Sequence, residues 1–143
     1  MYVSLEKQAE NQKKMKEIIK ILFVLLFTSW SCFAQEQELK TFDKALITAQ
    51  TKLDLLSSKK RGIETEKKKI YFVEADNQTI SYYLNGILEW KVNIIERCGI
   101  PKVGKSEIRF IEINTDKMLV TFGKNSYAEV NLTNGRAKFI GSD

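Results

Sequence analysis

One spacing constrains this chain more than any other feature: between Ile70 and Leu132 a pattern is written twice, 38 positions apart and without a gap. Ile70, Phe72, Glu74, Val92 and Asn93 recur as Ile108, Phe110, Glu112, Val130 and Asn131, and Val73/Ile111, Ile80/Met118, Leu84/Phe122 and Ile94/Leu132 are matched by type. Five identities in 25 aligned positions are few, but the apolar phase agrees segment by segment. That phase has the two-residue period of a strand with one face on a core. Each copy therefore reads as a three-stranded antiparallel meander, the first over 70–94 and the second, with a last hairpin, over 107–140.

In the first copy Ile70 to Ala75 is apolar on both faces, Thr79 to Leu84 puts Ile80, Tyr82 and Leu84 on one side, and Leu88 to Ile94 sets Leu88, Trp90, Val92 and Ile94 against Glu89, Lys91 and Asn93. Asn85-Gly86 between the last two is a strong hairpin signal, because a type I′ turn needs positive φ at both positions. Asn134-Gly135 carries the same signal into a final strand, Arg136 to Ile140.

Ahead of the repeat, Leu39, Phe42, Leu46, Ala49, Leu53 and Leu56 recur at spacings of three and four. That spacing makes one apolar stripe on a helix, predicted over 35–61 and ending at the cations Lys59-Lys60-Arg61 and Gly62. The expected fold is α+β, with this amphipathic helix packed on an antiparallel sheet of six to seven strands. The alternative is a small β-barrel with a helix, since 70–75 and 108–113 want cover on both faces. The stripe also obeys a heptad, so helix-mediated dimerisation stands beside the single-domain reading, giving a monomer or a homodimer.

The N-terminal segment carries an address. Lys14, Lys16 and Lys20 precede the apolar run Ile21 to Phe27, and Phe33-Ala34-Gln35 follows. Basic, apolar and small-residue parts in that order make a secretory signal peptide, predicted over 15–34 with cleavage after Ala34. Residues 1–14 are then upstream of a true start at Met15. The Phe33-Ala34-Gln35 ending resembles Gram-negative export signals, so the expected location is periplasmic or secreted. Two alternatives keep the protein at a membrane: an uncleaved anchor over 18–34, or lipidation at Cys32, whose preceding Trp30 is a poor fit to a lipobox. Removing residues 1–34, which hold five Lys and three Glu, takes the net charge from +5 to +3. That ordinary balance calls for no nucleic-acid partner.

The chain has no histidine, which excludes Ser-His-Asp and Cys-His catalysis and His-ligated metal. Past the signal Cys98 is the only cysteine, so no internal disulfide, thiolate metal cluster or dithiol chemistry is available. No cofactor and no metal are called for. The connector over 95–106 has neither helix nor strand period, and it holds the chain's one proline. Loops of this length on a rigid scaffold are where binding residues concentrate. It ends in Gly104-Lys105-Ser106 like a phosphate loop, but the glycine spacing is wrong and a strand follows. Candidate binding residues are therefore Tyr83 and Trp90 on the strands and Arg97, Cys98, Lys102 and Lys105 in the connector. Glu74 and Glu112, at equivalent places in the two copies, form the one candidate carboxylate pair. The function expected is a non-catalytic binding module of the bacterial cell envelope, for an unidentified protein or envelope component. The alternatives are an oligomeric assembly protein working through the heptad, or a hydrolase using Glu74 and Glu112.

Overall fold

The computed structural model describes residues 2–29 and 39–143, in two units, Met1–Gln37 and Glu38–Asp143. The described residues of the first unit form one helix, α1 (Tyr2–Ser29). Neither glycine nor proline interrupts its sequence, and Glu10–Lys14 (3.0 Å) and Glu17–Lys20 (3.1 Å) pair one turn apart, the order that suits the helix macrodipole. Residues 3–23 are all exposed, and the helix passes Met15 without a break. Among the described residues no helix is long and apolar enough to cross a membrane. Cys32, the expected cleavage point after Ala34, and residues 35–38 lie outside the described residues.

The amphipathic helix expected over 35–61 does not form in residues 39–61. One 3-10 turn, Lys44–Leu46, is followed by two short strands, β1 (Ile47–Thr48) and β2 (Lys52–Asp54), and then by β3 (Gly62–Thr65). Of the six stripe residues only Leu53 is buried, while Leu39 and Leu56 are 65% and 63% exposed. The cause is local competition for backbone donors. Asp43, Thr48, Asp54 and Ser58 each accept the N–H two residues on, from Ala45 (2.8 Å), Gln50 (3.2 Å), Leu56 (2.8 Å) and Lys60 (3.0 Å). Such turns give the chain an alternative to helical hydrogen bonds, and long-range strand pairing completes it: Leu53 pairs with Ile111 in a later strand, burying its side chain. Gly62, expected to end the helix, is instead a buried strand residue, where a Cβ would stand 2.8 Å from both Ile47 and Phe72.

The single expected sheet is two. The first has the order β1-β3-β4-β5-β6, where β4 is Lys69–Val73, β5 is Thr79–Leu84 and β6 is Ile87–Asn93. A short helix, α2 (Ile94–Cys98), capped by Asn93, opens the connector. The second sheet runs β10-β9-β8-β7-β2, where β7 is Ile108–Asn114, β8 is Lys117–Phe122, β9 is Ser126–Asn131 and β10 is Ala137–Ser142. All neighbours are antiparallel except β1 and β3, which run parallel. The sheets share one core, to which the first gives Ile63, Tyr71, Val73, Ile80, Tyr82 and Val92 and the second gives Leu53, Ile111, Met118, Val120, Phe122, Ala128 and Val130. They do not close into a barrel. The second apolar face of β4 finds its cover elsewhere: Phe42 packs on Phe72 at 5.1 Å.

Within the sheets β4, β5 and β6 pair antiparallel in chain order, and so do β7, β8 and β9. Asn85 and Gly86 have φ of 52° and 81°, as a type I′ turn requires. Asn134 has no positive φ, and the connection it sits in is longer: the Gly135 N–H bonds Asn131 O at 2.8 Å, and the Asn131 N–H bonds Arg136 O at 2.9 Å. Bulges then reset the side-chain phase. Glu89 is extra between the pairs Tyr82–Trp90 and Tyr83–Leu88, so Leu88 leaves the core face and stands 46% exposed. Arg109 is extra in β7, which lets Ile108 and Ile111 both reach the core.

At the β4–β5 turn Asp76 accepts N–H bonds from Gln78 and Thr79, both at 2.9 Å, and the Thr79 hydroxyl at 2.6 Å. Burial pushes its carboxyl up, but these bonds outweigh burial and hold it below the ordinary carboxylate value. A depressed folded pKa adds stability above the unfolded value, lost as pH falls through the folded one. The stability of the protein relative to an Asp76→Asn variant is therefore expected to be largest near neutrality and to shrink below about pH 4, as followed by thermal melts at stepped pH. A difference independent of pH would refute the assignment.

Candidate functional site

The outer face of the first sheet brings together two residues that the sequence assigned to different roles. Tyr83 and Glu74 meet there, with the tyrosine hydroxyl 3.3 Å from Glu74 Oε1. Lys40 closes the group: its Nζ donates to Tyr83 Oη at 3.0 Å, lies 3.7 Å from Glu74 Oε1, and stands 4.8–5.4 Å from the ring centres of Phe42, Phe72 and Tyr83. Burial pulls the ammonium down, but the Tyr83 bond and the Glu74 charge outweigh it, so Lys40 stays charged above the ordinary lysine value. Such a cation under three rings is a clamp, and with the Lys40 N–H bonded to Gly86 O at 2.9 Å it fastens residues 39–42 across the sheet. Tyr83 is therefore buried, only 7% exposed, and offers no free platform.

The carboxylate pair is not assembled. Glu74 follows Phe72 onto the outer face of the first sheet, whereas Glu112 lies in the second sheet, 3.0 Å from Lys52 across the β2–β7 ladder. In both meanders the inward phase belongs to the other parity, Tyr71 and Val73 in one and Ile111 in the other. Each acid neutralises its own lysine.

Trp90 works as a bridge between the sheets. Its ring packs 5.6 Å from Tyr82 and 6.1 Å from Tyr71, and Nε1 donates to Leu132 O at 2.9 Å. Beneath it sits Gly135, buried, with φ of 68°. On the far side of Gly135 opens a polar cleft of about 480 Å³ between β6, the start of α2 and the loop before β10. Arg97 from α2, Lys91 from β6 and Arg136 from that loop line it, with Asn93, Glu96 and Asn134. All three cations are exposed, and none makes an ion pair among the described residues. Lys91 is felt at a distance by Asp76. Three cations against one carboxylate, with amide groups between, suit an anion.

Cys98 ends α2 half-buried. Burial pushes its thiol up, which keeps it protonated and unreactive at neutral pH. Lys102 and Lys105 stand exposed on the connector, which packs against the Gly123–Lys124 turn through the Lys124 N–H and Val103 O at 2.7 Å. Of the sequence candidates, then, Arg97 reaches the cleft and Trp90 backs it, Lys102 and Lys105 share a separate loop, and Tyr83 and Glu74 are occupied by Lys40. Sequence reasoning missed Lys40, Lys91 and Arg136. Lys91 was legible as a residue on the polar phase of β6; the other two carry no local signal, because loop backbone bonds place them, the Lys40 N–H to Gly86 O and the Asn131 N–H to Arg136 O, both at 2.9 Å. Comparison of the chain with protein-family models, with curated proteins and with solved structures finds no match.

Proposed function

We propose that this chain is a small exported, non-catalytic binding module of the bacterial cell envelope, which holds a carboxylate- or phosphate-bearing partner in the cleft of Lys91, Arg97 and Arg136. The observation that carries this reading is the convergence on one polar hollow of three cations that make no ion pair among the described residues, backed by a tryptophan. Full-size cations left without partners at a concave site gain most from an anionic ligand, which satisfies them bidentately at the two arginines.

Trp30 and Trp90 are the only tryptophans, and the Trp90 ring rests on Gly135, which lines the cleft. A titration with poly-glutamate or inorganic phosphate is therefore expected to change Trp90 emission saturably and to weaken as salt is raised. The pair Arg97→Ala and Arg136→Ala is expected to reduce affinity at least tenfold while leaving the melting temperature within about 2 °C, since surface changes usually cost under about 0.5 kcal/mol. Binding that survives both substitutions would sink the cleft as the site.

Export rests on Lys14 to Lys20, the apolar run 21–27 and the small residue Ala34. Under this reading the native cell holds a soluble species whose intact mass begins at Gln35. A species retained in membranes with residues 18–34, or with lipid on Cys32, supports the anchored alternative instead.

A further inference from the structure

Ile100 is 80% exposed, Val103 55% and Leu56 63%, among the most exposed large apolar residues of the β unit. They are not on a loose end. Pro101, between the first two, is buried against Gly123, so closely that a Cβ there would collide with the proline ring. The Lys124 N–H binds Val103 O at 2.7 Å, and the Arg109 guanidinium donates to the carbonyls of Gly123 (3.3 Å) and Lys124 (3.1 Å). Leu56 joins the same corner, lining a hollow with Gly104, Lys105 and Lys124. The connector is thus braced from behind while it holds apolar side chains out into water, an arrangement that gains free energy only when something covers them.

The charges around this corner say what covers it. Lys102 lies between Ile100 and Val103 in the chain, Lys105 follows, and Lys124 faces them from the β8–β9 turn; all three are exposed, and none is ion-paired among the described residues. Glu107 is the one acid on the hollow. Apolar tips alternating with free lysines on a protruding rigid loop match the boundary between lipid phosphates and acyl chains, where the tips enter by some 5–10 Å and the ammonium groups stay at headgroup level.

We propose that the connector, with Leu56 and Lys124, is a docking tip for an anionic lipid surface, distinct from the cleft and independent of α1. Among the described residues the core cluster takes none from before Leu53, and residues 38–143 form a compact unit with that core, so this body is tested without the apolar N-terminal run. Flotation of that body with phosphatidylglycerol–phosphatidylcholine vesicles is expected to show binding that falls with salt, and little binding to phosphatidylcholine alone. Ile100→Ser with Val103→Ser is expected to reduce binding more than tenfold, and each of Lys102→Ala, Lys105→Ala and Lys124→Ala about fivefold. All five positions are exposed, so the far-ultraviolet circular dichroism of the variants should match the parent. The Arg97→Ala, Arg136→Ala variant, which tests the cleft, should bind these vesicles as the parent does. The proposal is overturned if the body does not bind anionic vesicles, if it binds both vesicle types equally, if the double serine variant still binds, or if binding is lost with the cleft arginines instead.

Discussion

Replacing Phe122 by alanine is expected to lower the unfolding free energy by about 3–5 kcal/mol, the usual cost of emptying a buried aromatic site. Phe122 ends β8, a strand flanked by β7 and β9 in the second sheet, and is fully buried. It pairs with Ile108 and Ser126 and meets the Phe139 ring at 6.4 Å, edge to face. The strands around it are tied on both sides and cannot collapse into the space, so both the transfer and the cavity contributions persist. Urea denaturation of the body reads the loss as a lower midpoint at unchanged slope. Phe122→Leu, which keeps most of the volume, is expected to cost under about 1.5 kcal/mol. The 38-residue spacing aligns Phe122 with Leu84, but Leu84 is only half-buried beside the Asn85–Gly86 turn. Leu84→Ala should therefore cost clearly less than Phe122→Ala; equal losses would contradict the burial that separates the two positions.

That inequality shows where sequence reading stops. Strand positions were legible: β5 and β8 span Thr79–Leu84 and Lys117–Phe122, both starting and both ending 38 apart (117 − 79 and 122 − 84), and the inward residues Ile80, Met118 and Val120 follow the two-residue period. Asn85-Gly86 was legible because its chemistry is confined to two residues. What failed depends on partners far along the chain. The stripe from Leu39 to Leu56 has helical spacing, but β1 and β2 find partners at Gly62 and Ile111, and short polar side chains hold the turns between them. That Glu74 and Glu112 do not meet as a pair also depends on the sheets, which bury the opposite parity, Tyr71, Val73 and Ile111, and leave each acid beside its own lysine. The site was legible in the same proportion. Arg97 and Trp90 stood out as chemistry; that Trp90 backs the hollow Arg97 lines follows from the loop around Gly135, whose conformation no short motif specifies.

Gly135→Ala is the substitution expected to cost most for its size, about 2–5 kcal/mol. Two separate penalties add. An L residue held at φ of 68° gives up roughly 1–2 kcal/mol to left-handed backbone, and the new methyl would stand 2.6 Å from Trp90 Cδ2 and 2.7 Å from Cε3, overpacking that costs about 1–3 kcal/mol. The ring cannot retreat, because Tyr71 and Tyr82 pack beside it and Nε1 is bonded to Leu132 O. The two penalties are separable by a double-mutant cycle. In a Trp90→Ala background the collision disappears and only the backbone cost remains, so the two changes together should destabilise by less than the sum of the singles, with a coupling of about 1–3 kcal/mol. Additivity to within about 0.5 kcal/mol would show that the Trp90 ring is not seated on this glycine. It would also separate the cleft lining from the Trp90 ring, because Gly135 belongs to both.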